Sequence, residues 1–193
     1  MADVTLIATM TGQQYRAAYA VKATKDVWYY LNGVYIPADK ATIVATNGHM
    51  LYYAVIEAGD VELEDNGLIF EPAKIPASVD SVTIEAFDKT SVLVKTTGTR
   101  SGATTQHICK RIEGPFPDYK AIIPSAYRGK AEGPGDAFGF DTGYLAVLKT
   151  IFGPRPVRFE MAGPHDSASI TGPDGHGTVI LIALPRIDSE QLA

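Results

Sequence analysis

Apolar and polar positions alternate in short runs along most of the chain, and the runs recur in one order. Val4, Leu6 and Ala8 against Thr5, Ile7 and Thr9 predict a strand over Asp3–Thr9. Thr11 can cap a helix from Gly12 to Lys22, with Tyr15, Ala18, Tyr19 and Lys22 on one stripe. The segments Val27–Ile36 and Ala41–Ile56 are dense in β-branched and aromatic residues and read as strands. Asn47 and Gly48 interrupt the second segment, and Asn-Gly is the dipeptide that a two-residue type I′ hairpin prefers. The order so far is strand, helix, three strands.

That order recurs after the acidic stretch from Glu57 to Asn66. Gly67–Phe70 predicts a strand, and Glu71–Ile75 predicts a short helix with Pro72 in its first turn and Pro76 as its limit. Val82–Phe87, Ser91–Thr96 and Thr104–Ile112 give three more strands. Between Ile123 and Ala137 the composition shifts to Pro, Gly, Ser and charge, as in a linker. A third copy follows: a strand Ala137–Phe140, then a helix Thr142–Phe152 behind the N-cap Asp141, with Tyr144, Leu145, Leu148 and Phe152 on its stripe. Its strands are Val157–Met161, Ser167–Thr171 and Thr178–Leu184. The prediction is an α+β chain of about three βαβββ units, with two units in 1–124, a linker at 125–136 and one unit in 137–193.

Composition narrows the function classes. The 193 residues are 46% hydrophobic and 20% charged, which is ordinary for a globular protein, and neither a signal-peptide pattern nor a membrane-length apolar run is expected. One cysteine, Cys109, precludes an internal disulfide and a cysteine-built zinc site, and suits a reducing cytoplasm. A net charge of -5 argues against a protein that grips nucleic acid by bulk electrostatics. A protein that encloses DNA escapes that argument, because geometry holds it in place.

Nothing in the sequence predicts an enzyme, and neither a cofactor nor a metal site is expected. His49, His107, His165 and His176 lack metal-ligand spacing, and no phosphate-binding loop or nucleophile elbow occurs. His165, Asp166 and Ser167 have the residue types of a catalytic triad, but consecutive strand residues point to different faces. The glycines between Gly172 and Gly177 precede no helix, so they read as a turn.

Three blocks carry a family resemblance. Tyr29-Tyr30-Leu31-Asn32-Gly33-Val34, then Val44-Ala45-Thr46-Asn47-Gly48-His49-Met50-Leu51, then Gly114-Pro115-Phe116-Pro117-Asp118-Tyr119 running on to Ile123-Pro124, resemble in order the middle domain of the bacterial sliding clamp, the β subunit of DNA polymerase III. The third unit, from Phe138-Gly139-Phe140-Asp141 to Leu184-Pro185-Arg186, resembles the second half of that clamp's last domain. The resemblance implies a DNA clamp fold, in which twelve βαβββ units form a ring whose helices line the hole. It also implies an apolar cleft that takes short peptides from polymerases and clamp-loader-like proteins. Residue by residue, Leu31, Thr46, Gly48, His49, Met50 and Leu51 match one wall, Pro117, Ala121 and Ile122 the floor, and Ile182, Ala183, Leu184, Pro185 and Arg186 the lip. Burial in an ordinary core explains such apolar strand ends equally well.

The match has departures. Asn47 stands where the family has aspartate, Met50 where it has arginine, and the ending is one residue shorter between Pro185 and Arg186, with Asp188–Ala193 running past it. On the same resemblance the residues facing duplex DNA, without sequence specificity, would be Arg16, Lys22, Lys25, Lys74 and Lys149, although a solvated face accounts for isolated cations as well. Three units cannot enclose DNA alone, so a homo-oligomer is expected, and twelve units at three per chain point to a tetramer. The competing expectation is an adaptor or decoy that never closes a ring and instead binds clamp-interacting peptides or a host clamp.

Overall fold

In the structure, a computed structural model describing residues 6–98, 102–123, 140–161, 167–173 and 176–181, Thr11 starts the first helix as its side chain predicts. Its hydroxyl accepts from the Gln14 backbone N–H at 3.1 Å, while the Gln14 side-chain oxygen accepts from the Thr11 N–H at 2.9 Å. This reciprocal box satisfies two amides that the first turn would otherwise leave open. Helix α1 (Gly12–Val21) therefore follows strand β1 (Leu6–Thr11) without a loop.

The strands of the first unit are β2 (Val34–Ile36), β3 (Thr42–Thr46) and β4 (Met50–Val55), followed by a two-residue β5 (Glu57–Ala58). Those of the second are β6 (Leu68–Phe70), β7 (Ser81–Ala86), β8 (Ser91–Thr97) and β9 (Thr104–Lys110). The third contributes helix α2 (Thr142–Phe152), β10 (Arg158–Glu160), β11 (Ala168–Thr171) and β12 (Thr178–Leu181). Two sheets result, ordered β5-β1-β7-β8-β9 and β10-β11-β12-β4-β3-β2-β6.

The first two units exchange their leading strands. β1 pairs with β7 of the second unit, and β6 pairs with β2 of the first, so each meander is completed by the other unit's strand. Neither unit closes a sheet alone. The third unit joins differently: its last strand, β12, runs antiparallel to β4, with Thr178 opposite Tyr53 and Leu181 opposite Met50. The second sheet thus continues across the boundary expected between 124 and 137.

Inward positions of both sheets meet α1 and α2 in one core. Ile43, Ala45, Met50, Tyr52, Val179 and Leu181 come from the second sheet, Val82, Ile84, Val92 and Val94 from the first, and Tyr15, Ala18, Ile151 and Phe152 from the helices. α1 packs on α2, and the Gln13 side-chain amide donates to the Ile151 carbonyl of α2.

Three expectations change. Val27–Ile36 is a strand only from Val34, because Tyr29–Asn32 forms a 3-10 turn. There Asn32 exchanges hydrogen bonds with the Asp26 backbone at 2.9 and 3.1 Å, and Asp26 caps the Trp28 N–H at 2.8 Å. Side chains of this kind offer the backbone an alternative to a ladder. The helix over Glu71–Ile75 does not form. Pro76 disfavours helical backbone at Ile75, and the Arg16 guanidinium donates to the carbonyls of Pro76 and Val79 at 3.1 and 2.9 Å, holding the segment against α1. Finally, the β3–β4 turn is shifted by one residue. Thr46 pairs with Leu51, so its centre is Gly48 and His49. Of these only Gly48 has positive φ, at 86°, which is the pattern of a type II′ turn rather than I′. The strand Ala137–Phe140 apart from Phe140, the linker at 125–136, and His165 and Asp166 lie outside the described residues.

Candidate functional site

The side-chain period of two divides β3, β4 and β12 between opposite faces of the second sheet. Residues 43, 45, 50, 52, 54, 179 and 181 enter the core, leaving Val44, Leu51, Tyr53 and Ile180 on the far side. Leu51 and Ile180 are direct cross-strand partners there. Onto them folds the segment after β9: Tyr119 packs against Val44, Leu51 and Ile180, with Phe116, Ile123, Tyr35 and Tyr53 around them. Phe116 stacks on Tyr35 with ring centroids 4.5 Å apart and planes 10° from parallel. The matching face of the first sheet is mixed, carrying a Lys95–Glu85 ion pair of 2.7 Å beside the cross-strand pair Leu93 and Ile108, the latter 64% exposed. The covered apolar cluster is on the sheet that the third unit joins.

The β3–β4 turn borders this patch. Thr46 Oγ1 donates to the Met50 carbonyl at 2.7 Å and accepts from the Gly48 N–H at 3.1 Å, while Asn47 Oδ1 accepts from the N–H groups of His49 and Met50 at 3.0 and 2.8 Å. These bonds close the turn, and His49 is exposed on it, its ring stacked on Tyr144 of α2 at 5.6 Å. Leu181 of β12 lies opposite Met50, beside the same turn.

The expected cleft residues distribute unevenly. Thr46, Gly48, His49 and Leu51 gather around the turn and patch, and Pro117, Ala121 and Ile122 lie exposed on the segment covering it, Ile122 at 43%. Leu51 is only 1% exposed, because Tyr119 already covers it. Met50 turns into the main core, and Leu31 is buried at its 3-10 turn, outside both apolar clusters. Ile182, Ala183, Leu184, Pro185 and Arg186 lie outside the described residues. Val44, Tyr53, Tyr119 and Ile180 were missed as contributors. Strand parity would have found Tyr53 from Leu51 and Val44 from Thr46, but Ile180 needed the β4–β12 register.

The expected cations also separate. Arg16 Nη1 is bonded to two carbonyls, and Lys22 Nζ donates to the Ala23 carbonyl at 3.2 Å and lies 5.2 Å from the centre of the Tyr19 ring. Burial pulls the pKa of both below the ordinary range. Lys25, Lys74 and Lys149 are exposed. Lys22 and Lys25 border an open cavity of about 1330 Å³ that Lys89, Lys110 and Arg111 and also Glu62, Glu64, Glu71 and Glu113 line, so its charge is mixed. The helix layer differs: α1 and α2 contain no Asp or Glu, although the chain has 22 of them, and each carries one cation, Arg16 and Lys149. Among the described residues no group of three or more His, Cys, Asp or Glu could hold a metal, and no helix is long and apolar enough to cross a membrane.

Two units that exchange strands, two helices packed together and a sheet that continues into a third unit match solved structures in fold. The DNA polymerase sliding clamp of Pseudomonas aeruginosa superimposes with a TM-score of 0.66 at 17% identity, over 96% of this chain and 68% of that one. The fold is that of the sliding clamps. The Caulobacter crescentus polymerase III β structure agrees, with a TM-score of 0.62 and 19% identity over 96% of this chain and 68% of its own. In sequence, the chain is 30% identical to the β sliding clamp of Pseudomonas putida over 114 residues, and 29% identical to that of P. aeruginosa over the same length. Those matches cover 56% of this chain and 30% of each relative, so the chain aligns with under a third of a full clamp sequence. No family profile matches it.

Proposed function

We propose that this protein is a sliding-clamp-like processivity factor that oligomerises around duplex DNA and takes partner peptides at the apolar patch beside the Gly48–His49 turn. The observation that carries the reading is the helix layer: two packed helices free of carboxylates in a chain of net charge -5. A surface of that kind lets polyanionic DNA pass without repelling it and without gripping it, which is what sliding requires. The contacts are to phosphates and read no base sequence. No chemistry is assigned to the protein, and cytoplasmic residence follows from its role in replication.

Peptide capture works by burial. Two or three apolar side chains each contribute on the order of 1.5–3 kcal/mol before ordering costs, giving exchangeable binding. Exposed His49, Pro117, Ala121 and Ile122 are where a peptide meets the chain first. His49→Glu and Leu184→Asp are expected to abolish binding of a clamp-binding peptide in a calorimetric titration without lowering the melting temperature, and unchanged affinity would exclude the cleft. For the whole reading, extension of a primed circular template by a bacterial polymerase III core with its loader should give longer products when the protein is added. Unchanged product length at saturating protein counts against it.

The engagement of Arg16 and Lys22 favours a second reading, a non-ring adaptor or decoy that holds clamp-interacting peptides or a host clamp. It predicts a stable monomer that competes for peptide and leaves product length unchanged or shorter.

A further inference from the structure

The chain has three asparagines, Asn32, Asn47 and Asn66, and a glycine follows each of them. In an Asn-Gly pair the glycine nitrogen reaches the preceding side-chain carbonyl most easily, because no Cβ stands in the way. By sequence the three are equals. The structure separates them.

At Asn32 both ends of the amide are held elsewhere: Oδ1 accepts from the Asp26 N–H at 2.9 Å and Nδ2 donates to the Asp26 carbonyl at 3.1 Å. Gly33 is also packed in, since an added Cβ would lie 2.5 Å from the Ile69 side chain. After Asn66 the Gly67 N–H is tied back to the Glu64 carbonyl at 2.7 Å, and a Cβ on Gly67 would lie 2.5 Å from the Ile36 carbonyl oxygen. Asn47 differs on each count. Nothing lies within 4 Å of where a Cβ on Gly48 would stand, so the backbone there has room to turn. Asn47 Oδ1 accepts from the His49 and Met50 N–H groups at 3.0 and 2.8 Å, and paired donors of this kind stabilise the charge that grows on a carbonyl oxygen under attack. Thr46 Oγ1 accepts from the Gly48 N–H at 3.1 Å while giving its own hydrogen to the Met50 carbonyl, so a lone pair faces the nitrogen that must lose a proton. The departing group, Nδ2, has no hydrogen bond among the described residues.

We propose that Asn47 is a self-modifying site, at which the folded turn converts the side-chain amide to a carboxylate. The Gly48 nitrogen bonds to Asn47 Cγ, the Cγ–Nδ2 bond breaks, and Nδ2 leaves as ammonia with the hydrogen that Gly48 gave up. A cyclic imide remains, and water opens it. Opening at Cγ gives aspartate, which keeps the turn and accepts the same N–H bonds more strongly as an anion. Opening at the main-chain carbonyl gives isoaspartate, which lengthens the backbone of the turn. Either product sets a new negative charge next to His49, at the rim of the apolar patch. Its effect on peptides rests on the cleft reading, whereas the chemistry does not.

The purified chain is aged in mildly alkaline buffer, folded and in parallel unfolded in urea, and mapped by peptide mass spectrometry with an isoaspartyl methyltransferase assay. In urea the three asparagines should convert at similar rates. In the folded chain Asn47 should convert at least as fast as in urea and about tenfold faster than Asn32 or Asn66. Thr46→Val should slow it and Thr46→Ser restore it. Equal rates at the three sites in the folded chain, slower conversion of Asn47 folded than unfolded, or no effect of Thr46→Val each overturns the proposal. Asn47→Asp should bind an acidic clamp-binding peptide about twofold to fivefold more weakly than the fresh parent, as an exposed like charge does. Unchanged affinity would instead count against the cleft reading and leave the self-modification standing.

Discussion

Gly48 and Gly12 are both needed as glycines, for different reasons. Gly48 holds a φ of 86° with open space where a Cβ would stand, so Gly48→Ala is strained by its backbone alone. A left-handed non-glycine residue costs about 1–2 kcal/mol, and urea unfolding should show a loss of that size. At Gly12 an added Cβ would lie 2.0 Å from the Val79 carbonyl oxygen, so α1 cannot approach the following segment without glycine. Gly12→Ala should therefore cost several times more than Gly48→Ala in the same assay, and equal losses would show that α1 does not seat as described. His176 provides a pH test. Its Nδ1 is buried without a hydrogen-bond partner among the described residues, and burial together with nearby Arg155 lowers its pKa below the ordinary 6.5. The unfolded chain then takes up this proton more readily than the folded one, so the contribution is intact above pH 6.5 and declines as pH falls below it. A His176→Asn variant should lose less melting temperature between pH 7.5 and 5.5 than the parent, and an equal or larger loss would contradict the assignment.

At the scale of elements, the capping box makes a separate claim. Thr11→Ala removes one of its two bonds and should cost about 1 kcal/mol of unfolding free energy, a typical cap value. Gln14→Ala should cost more, since its side-chain amide also donates to the Val55 carbonyl at 2.9 Å and so ties α1 to the end of β4. Much of this layer was legible in the sequence. Both helices were predicted within a residue of their ends, because Thr11 and Asp141 are strong caps and the apolar stripes have helical period. The strands flanking Gly48, and those flanking Asp88–Thr90, were legible from alternation. The Tyr29–Asn32 turn was not, because aromatic content signals a strand while the Asp26–Asn32 hydrogen bonds that decide the outcome leave no periodic trace. The exchange of β1 and β6 was equally hidden. Alternation tells which face a residue takes and never which strand lies beside it. For the same reason the sequence placed Leu51 at the site but could not supply Tyr119 or Ile180, whose contribution depends on sheet order.

The whole molecule combines a covered apolar cluster on one sheet with an asymmetry of charge between its helices and the rest of the chain. One face of the second sheet supports the carboxylate-free helix layer and the other carries the apolar patch, so the proposed DNA passage and peptide capture would use opposite faces of the same strands, with His49 at the rim, stacked on Tyr144 of α2. A charge reversal at exposed Lys149 should impair DNA retention and leave peptide affinity untouched, whereas His49→Glu should do the reverse. The most direct measurement is retention on DNA of different topology. Loaded onto nicked circular plasmid and passed through a sizing column, the protein should co-elute with the DNA, and linearising the plasmid should release it at unchanged ionic strength. Equal retention on circular and linear DNA would mean that it grips rather than encircles, and would contradict the account.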